Sequence, residues 1–168
     1  MTLRSFKGIT ALVTGASSGI GKAMARELAA QGANLVLVAR NFQRLEQEAQ
    51  DLKTRFGVTV HVFPEDLGRM EDRLELFAWT QKSGIAVDLL VTNAGLAHYG
   101  TFDQMSFKET SEMLDLNIQA LTHLTWLYLP GMLEKKTGGV LNVASTAGFQ
   151  PLPYLSVYAA TKAFVLNF

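Results

Sequence analysis

The chain has 168 residues, no cysteine, and fifteen basic residues against fifteen acidic ones. The lack of cysteine excludes disulfides, thiolate metal sites and a cysteine nucleophile, and the balanced charge gives no electrostatic footprint for nucleic acid or an anionic membrane surface. With 48% hydrophobic and 18% charged residues, the composition is typical of one soluble domain long enough to bury a core.

Short apolar stretches alternate with longer helical patterns along the chain. The predicted strands are Ile9–Val13, Asn34–Ala39, Val58–Phe63, Val87–Thr92 and Val140–Ala144. The predicted helices lie near Ile20–Gln31, Phe42–Phe56, Arg69–Ser83 and Phe107–Glu134, with a last one opening near Tyr154. The first three helices are followed closely by Gly32, Gly57 and Gly84, where helix C-terminal caps favour glycine.

The strands are mostly continuous apolar runs, as expected when helices cover both faces of a sheet. The alternation therefore predicts an α/β fold with a Rossmann-like, doubly wound parallel sheet in the order 3-2-1-4-5. No repeat or linker divides residues 1–168, so we expect a single domain. In such sheets ligands bind beyond the carboxyl ends of the strands. The polar residues at those ends are the candidate site.

The stretch TGASSGIG, residues 14–21, follows the first predicted strand and leads into the first helix. Free backbone N–H groups and the positive end of the helix dipole favour a phosphate there, and glycines allow the backbone to approach a ligand closely. A P-loop would end in Gly-Lys-Ser/Thr, which this stretch lacks; a plain strand-to-helix turn is the alternative. The residues that we assign to a dinucleotide turn are Gly15, Ser17, Ser18, Gly19, Ile20 and Gly21.

Arg40 follows the second predicted strand, where the choice between two nicotinamide cofactors is made in folds of this kind. An acidic residue there binds the ribose 2′-hydroxyl of NAD, whereas an arginine accommodates the 2′-phosphate of NADP. A cation at a helix start opposes the helix dipole, so helix stability does not explain this arginine. A solvated surface arginine is the alternative interpretation.

The third and fourth predicted strands also end in candidate cofactor residues. Asp66 and Leu67 follow the third strand; the carboxylate either accepts a hydrogen bond from an adenine amino group or caps the next helix. Asn93, Ala94 and Gly95 follow the fourth strand. Their small size suits backbone that lies against a flat ligand, with a plain turn as the alternative.

Three candidate catalytic residues follow the fifth strand. Ser145 closes that strand, and Tyr158 and Lys162 follow it by thirteen and seventeen residues, after Pro151 and Pro153 have delayed the helix. Residues spaced i and i+4 are neighbours on one helix face, and a nearby ammonium favours the phenolate form of tyrosine. This pairing suits proton transfer, with Ser145 placed to hydrogen-bond a substrate oxygen. Taken alone, the tyrosine–lysine pair is also compatible with a surface or packing role.

Together these motifs resemble the short-chain dehydrogenase/reductase family in its compact single-domain form, over Lys7–Phe168. TGASSGIG is similar to the TGxxxGxG turn of that family, and residues 92–95 are similar to its NNAG element with threonine in place of the first asparagine. Asn117, in LDLNIQA, matches the asparagine of the family's long middle helix. Ser145, Tyr158 and Lys162 match its catalytic serine, tyrosine and lysine.

The resemblance implies an oxidoreductase that interconverts a small-molecule carbonyl and a secondary alcohol by hydride transfer, with NADP(H) preferred over NAD(H). It implies that Tyr158 exchanges a proton with the substrate oxygen and that Lys162 holds the nicotinamide ribose. Ser145 would stabilise the substrate oxygen, and Asn117 would support a proton-relaying water. The family commonly pairs subunits through the long helix and the helix bearing Tyr158, so a homodimer or homotetramer is expected.

Family members continue well past the catalytic lysine, whereas this chain ends six residues after Lys162, so we expect a domain that is incomplete at its C-terminus. The first ten residues hold no apolar run of signal-peptide length, and polar residues interrupt the apolar window Leu114–Leu133. We therefore expect a cytoplasmic protein with no membrane partner. His61, His98 and His123 lack metal-ligand spacing, and no metal is expected.

Two other functions fit parts of the sequence. The dinucleotide turn could belong to a non-catalytic dinucleotide-binding module, such as a redox sensor or scaffold. Ser145 and Lys162 could instead form a serine–lysine hydrolase, although no G-x-S-x-G nucleophile elbow is present.

Overall fold

A computed structural model describes residues 6–168. Residues 1–5, part of the stretch considered for a signal peptide, lie outside the described residues. One parallel sheet is formed by five strands in the order β3-β2-β1-β4-β5, which confirms the predicted fold class and strand order. The strands are β1 Thr10–Thr14, β2 Asn34–Val38, β3 Val60–Phe63, β4 Leu89–Thr92 and β5 Gly139–Asn142.

Helices connect the strands and follow the last one. They are α1 Gly19–Ala30, α2 Phe42–Phe56, α3 Met70–Lys82, α4 Phe107–Leu114, α5 Leu121–Glu134 and α6 Ser156–Asn167. A π-helical segment, Asp115–Ala120, joins α4 to α5, and a 3₁₀ turn, Thr146–Phe149, precedes α6. The predicted long helix Phe107–Glu134 is therefore a continuous helical stretch, with a π-helical interruption that its sequence did not indicate.

Most elements begin or end one or two residues from the predicted bounds, and two of these differences bear on the candidate site. β5 ends at Asn142, so Ser145 does not close the strand; its Oγ instead accepts a hydrogen bond from the backbone N–H of Ala147 at 3.1 Å and begins the 3₁₀ turn. α6 begins at Ser156 rather than near Tyr154, because Tyr154 has a φ of 64°, which is incompatible with a right-handed helix.

The core has one apolar cluster on each face of the sheet. Ala11 and Val13 belong to the cluster under α1 and α2, whereas Leu12, between them, belongs to the cluster under α3 and α5. Successive strand residues point to opposite faces, so burial on both faces requires the continuous apolar runs seen in the sequence. Among residues 6–168, no helix is both long and apolar enough to cross a membrane.

Helix ends follow the predicted pattern. Gly32, Gly57 and Gly84 have φ values of 88°, 66° and 64° after α1, α2 and α3, as expected for C-terminal caps. At the start of α2, Asn41 Oδ1 accepts a hydrogen bond from the backbone N–H of Arg44 at 2.9 Å. This cap places the first turn of α2, and with it Arg44, beside the carboxyl end of β2.

Candidate active site

A cleft of about 610 Å³ opens at the carboxyl ends of the strands, a volume ordinary for small-molecule sites. The predicted cofactor residues that line it are Gly15, Ser17, Ser18, Gly19, Ile20, Arg40, Asp66, Leu67, Asn93, Ala94 and Gly95. Gly21 lies buried beneath the turn, and Tyr158 and Lys162 do not line the cleft. Residues that line it but were not selected from the sequence include Asn41, Arg44, Glu65 and Leu116.

Two glycines of the turn have no room for a side chain. Gly15 has a φ of 66°, and a Cβ built on it would lie 2.7 Å from Asn93 Nδ2 and 3.0 Å from Ala94 Cα. A Cβ on Gly21 would lie 2.5 Å from the Gly15 carbonyl oxygen. The turn is thus packed directly against the loop after β4, so both glycines are required by space as well as by backbone conformation.

Thr14 connects the glycine turn to that loop. Its Oγ1 accepts hydrogen bonds from the backbone N–H groups of Asn93 and Ala94, both at 2.9 Å, and donates to the Val91 carbonyl at 3.2 Å. In return, Asn93 Nδ2 donates to the Thr14 carbonyl at 2.9 Å. Thr14 is the first residue of the TGASSGIG motif, and the sequence alone indicated no role for it. Its hydrogen bonds fix the distance between two walls of the cleft.

One end of the cleft is lined by basic and acidic side chains. Arg40 is largely exposed, with its Nη1 3.9 Å from Asp66 Oδ2, and Arg44 lines the same end. Asp66 Oδ1 accepts from the backbone N–H of Gly68 at 3.0 Å, so the carboxylate orders its own loop and does not cap α3. Burial, with the nearby carboxylates of Asp72 and Glu75, raises the pKa of Glu65. Two guanidinium groups therefore lie at the end of the cleft that also holds Asp66, the residue predicted to contact adenine.

Lys162 lies behind the opposite end of the cleft. It is buried, its Nζ donates to the Val143 carbonyl at 2.9 Å, and it lies 6.0 Å from the centre of the Tyr158 ring. Burial lowers the pKa of the Lys162 ammonium. A Cβ on Gly95, which lines the cleft, would lie 3.6 Å from Lys162 Nζ. Lys162 thus adjoins the cleft wall without lining it, and the Tyr158 ring lies next to Lys162.

Asn117 occupies the middle of the π-helical segment and is buried. Its Oδ1 accepts from the backbone N–H of Leu96, and its Nδ2 donates to the Leu96 carbonyl, both at 2.9 Å. Nδ2 also donates to Thr161 Oγ1 at 3.0 Å. Both amide hydrogens are therefore in use, and the side chain holds the loop that continues from Gly95. π-helical segments are frequent at functional sites.

The structure brings Asn117, Tyr158 and Lys162 together through Gly95, Leu96 and Thr161. Ser145 Oγ uses a lone pair to accept from Ala147, which leaves the O–H donor of the hydroxyl for another acceptor. In the part of the chain described, no group of three or more His, Cys, Asp or Glu side chains is arranged to hold a metal ion.

The fold and the site define a Rossmann-like α/β domain with a glycine turn after β1 and a tyrosine–lysine pair on α6. The chain belongs to the short-chain dehydrogenase family, whose sequence model matches residues 9–168.

Relatives and solved structures agree with this membership. Very-long-chain 3-oxoacyl-CoA reductase of Anas platyrhynchos is 38% identical over 162 residues, which cover 94% of this chain and 52% of that protein. Very-long-chain 3-oxoacyl-CoA reductase of Homo sapiens is 33% identical over 164 residues, which cover 94% of this chain and 51% of the human protein. The chain thus spans about half the length of the curated relatives it matches.

Two solved structures are similar throughout this chain. L-sorbose reductase from Gluconobacter frateurii, complexed with NADPH and L-sorbose, has a TM-score of 0.91 at 34% identity and covers 96% of this chain and 62% of its own. A short-chain dehydrogenase from Sphingobium yanoikuyae in complex with NADPH has a TM-score of 0.89 at 38% identity, with coverages of 95% and 62%.

Proposed function

We propose that this chain forms the cofactor-binding and catalytic part of an NADP(H)-dependent oxidoreductase that interconverts a carbonyl and a secondary alcohol. One observation carries the proposal: Gly95 lines the cleft and also lies against Lys162 and Asn117. Lys162, the neighbour of the proton-transferring Tyr158, is therefore next to one end of a cleft whose other end holds two arginines. The NADPH complexes of the two similar structures support the choice of cofactor.

The cleft residues fit a dinucleotide. The backbone N–H groups of the turn at α1 would hold the pyrophosphate, and Arg40 and Arg44 would bind the 2′-phosphate. Asp66 and Leu67 would contact the adenine. Lys162 would hold the nicotinamide ribose. NADPH, when bound, supplies the hydride.

The chain's own residues would handle the proton. Tyr158 donates its hydroxyl proton to the substrate oxygen in reduction and accepts it in oxidation, and the Lys162 ammonium stabilises the phenolate between the two. The free O–H of Ser145 donates to the same substrate oxygen. Asn117 holds the loop after Gly95, and we propose that it also supports a proton-relaying water.

Replacement of Tyr158 by phenylalanine tests the reaction. Tyr158→Phe removes the proton donor, so turnover should fall by about 10²- to 10⁴-fold while the Kd for NADPH, measured by fluorescence titration, stays unchanged. Tyr154→Phe, four residues earlier, is the matched control and should retain activity. Suitable substrates are 3-oxoacyl-CoA thioesters and L-sorbose, the compounds named for the similar reductases. Unchanged turnover in Tyr158→Phe would contradict the mechanism, whereas NADPH binding without turnover by the wild type would favour a non-catalytic module.

Replacement of the two arginines tests the cofactor. Arg40→Gln and Arg44→Gln should each weaken NADPH binding by about tenfold or more, the loss of a charge-assisted hydrogen bond, and leave NADH binding unaltered. Arg55→Gln, at the other end of α2, removes the same charge far from the cleft and serves as the control. An unaltered ratio of NADPH to NADH affinity would show that the arginines belong only to the surface.

A second copy of the chain is the partner that we propose for the apolar face of α4 and α6. A groove of about 620 Å³ lies there, lined by side chains that include Phe102, Leu114, Ile118, Val157 and Phe164. Pairing through these helices would bury it, as implied by the family resemblance. Sedimentation equilibrium should give a dimer or tetramer; a monomer at micromolar concentration would contradict this.

The domain assignment and the cellular location stay predictions. We propose that residues 1–168 act as one dinucleotide-binding and catalytic unit and that the protein is cytoplasmic. Limited proteolysis with and without NADPH tests the first, and fractionation of cells expressing the tagged protein tests the second.

A further inference from the structure

Thr161 lies between two residues of the proposed catalytic set and was given no role by the sequence. It precedes Lys162 on α6 and is 1% exposed. Its Oγ1 accepts a hydrogen bond from Asn117 Nδ2 at 3.0 Å and donates to the Tyr158 carbonyl at 2.7 Å. One hydroxyl thus joins the π-helical segment to the first turn of α6.

The connection continues to the wall of the cleft. Asn117 makes two hydrogen bonds of 2.9 Å with the backbone of Leu96, the residue after Gly95. A Cβ on Gly95 would lie 3.1 Å from Asn117 Oδ1, so the loop has little freedom to move relative to the amide. A single chain of hydrogen bonds therefore runs from Leu96 through Asn117 and Thr161 to the backbone of Tyr158.

We infer that Thr161 is a positioning residue that couples the cleft loop at Leu96 to the catalytic Tyr158. The inference rests on the proposed function of Tyr158, whereas the hydrogen bonds of Thr161 are observed whatever that function is. If the hydroxyl is removed, one buried N–H of Asn117 loses its acceptor, and an unsatisfied buried donor is costly enough to make the amide rotate or admit water. A rotated amide loses its bonds to Leu96, a water competes with Leu96 for the same amide, and loss of the Thr161 hydroxyl frees the Tyr158 carbonyl in the first turn of α6.

A purely structural threonine would behave differently, and α5 provides one for comparison. Thr125 is also buried, and its Oγ1 donates at 2.8 Å to the Leu121 carbonyl of its own helix. Thr125→Val removes a buried hydroxyl of the same type, whose hydrogen bond stays within α5 and involves none of Leu96, Asn117 and Tyr158. Thr161→Val removes the bridging hydroxyl at nearly constant shape, and Thr161→Ser retains the hydroxyl but lacks the methyl group.

The test measures amide hydrogen exchange at Leu96, kcat and KM on the full chain carrying each substitution. Thr161→Val should accelerate Leu96 exchange and lower kcat by about tenfold each, the loss of roughly one hydrogen bond, with KM unchanged. Thr161→Ser should restore both, and Thr125→Val should alter neither. Wild-type exchange and kcat in Thr161→Val, failure of serine to restore them, or equal effects of Thr125→Val would each overturn the inference.

Two further measurements distinguish failure of this inference from failure of the proposed function and from a folding defect. If the wild type reduces no substrate, the proposed function fails, and Leu96 exchange alone decides whether the coupling exists. If Thr161→Val does not fold, the wild-type hydroxyl proton of Thr161 decides. A slowly exchanging NMR resonance with a cross-peak to the Asn117 side-chain amide supports the bridge, and its absence overturns it.

Discussion

Gly21 illustrates how tightly single residues determine the cofactor turn. A methyl group there would meet the Gly15 carbonyl oxygen at 2.5 Å and its carbon at 2.9 Å. Neither atom belongs to a flexible side chain, so the backbone itself would have to move. Such overpacking costs about 1–3 kcal/mol and, at this position, also displaces the N–H groups that face the cleft.

Gly21→Ala should therefore lower the free energy of unfolding by about 1–3 kcal/mol and abolish measurable NADPH binding. Urea unfolding and fluorescence titration measure the two effects. Gly131→Ala, inside α5 with open space around it, is the control and should leave binding intact and stability equal or up to about 1 kcal/mol higher. Normal NADPH binding by Gly21→Ala would contradict the packing described for the turn.

For single residues, the sequence predicted which side chains belong to the candidate site better than it predicted the hydrogen bonds between them. The glycines, Arg40 and Asp66 were predicted because turns, charges and strand ends restrict which residues can serve there. Thr14 and Thr161 were not predicted, because each acts through a partner distant in sequence. Thr14, for example, bonds to Asn93, 79 residues away, a pairing that exists only once the sheet has formed.

Helices α1 and α2 are held together by one buried carboxylate. Glu48 on α2 accepts hydrogen bonds from Arg26 Nε at 2.5 Å and from its guanidinium Nη2 at 3.0 Å, and Lys22 Nζ lies 2.8 Å from the same group. Burial by itself would raise the pKa of Glu48, but the hydrogen bonds from Arg26 and Lys22 outweigh it, and the net pKa is lowered. Both helices begin at the cleft, so this contact sets the spacing of their N-termini.

Glu48→Gln should reduce the free energy of unfolding by about 1.5–3 kcal/mol at pH 7, the range for hydrogen bonds to a charged group. The unfolded chain, with an ordinary glutamate pKa of about 4.3, binds the proton first as the pH falls. The wild type should therefore lose this stability from about pH 5 downward, through the lower pKa of its folded state, and the variant should not. Urea midpoints from pH 7 to pH 3 measure the difference.

Glu46 on the same helix, which is partly buried and accepts a solvent-exposed hydrogen bond from Gln50 Nε2, is the control for this prediction. Glu46→Gln should change stability by about 0.5 kcal/mol or less and retain the wild-type acid dependence. Parallel acid curves for the wild type and Glu48→Gln would contradict the assignment.

The π-helical segment was the element that the sequence could not predict. LDLNIQA contains ordinary helix formers, and nothing in its periodicity marks an extra residue per turn. The interruption is accompanied by contacts from other elements: Asn117 bonds to Leu96, and buried Arg73 on α3 donates to the Asp115 carbonyl at 3.5 Å and to the Leu67 carbonyl at 3.2 Å. Strands and their order were predictable because burial on two faces imposes a local pattern.

Within residues 6–168, the sheet has β3 at one edge and β5 at the other. On β5, Leu141 is 42% exposed. An edge strand offers unpaired backbone groups to other chains, and an apolar side chain on it strengthens such pairing. With fifteen residues of each charge, net repulsion between molecules does little to oppose association.

In a protein made of these 168 residues, Leu141→Lys should slow aggregation, measured as the rise in light scattering at 37 °C, and leave NADPH binding unchanged. Leu74→Lys, on α3, adds the same charge at a similarly exposed apolar site on a helix instead of on the edge strand. Equal protection by both variants would attribute the effect to net charge instead of to the edge strand.

The hydrogen bonds between Thr14 and the loop after β4 also affect the order in which parts of the site form during folding. β1 has β2 as one neighbour and β4 as the other, and the chain must extend 79 residues from Thr14 before Asn93 can bond to it. Loop-closure entropy makes such distant parallel pairings slow to form. A growing chain can thus assemble β1, β2 and β3 while the phosphate turn still lacks its supporting wall. With the proposed NADPH site, acquisition of cofactor affinity would mark the docking of β4 during folding, and a refolding experiment followed by NADPH fluorescence would give the timing of that step.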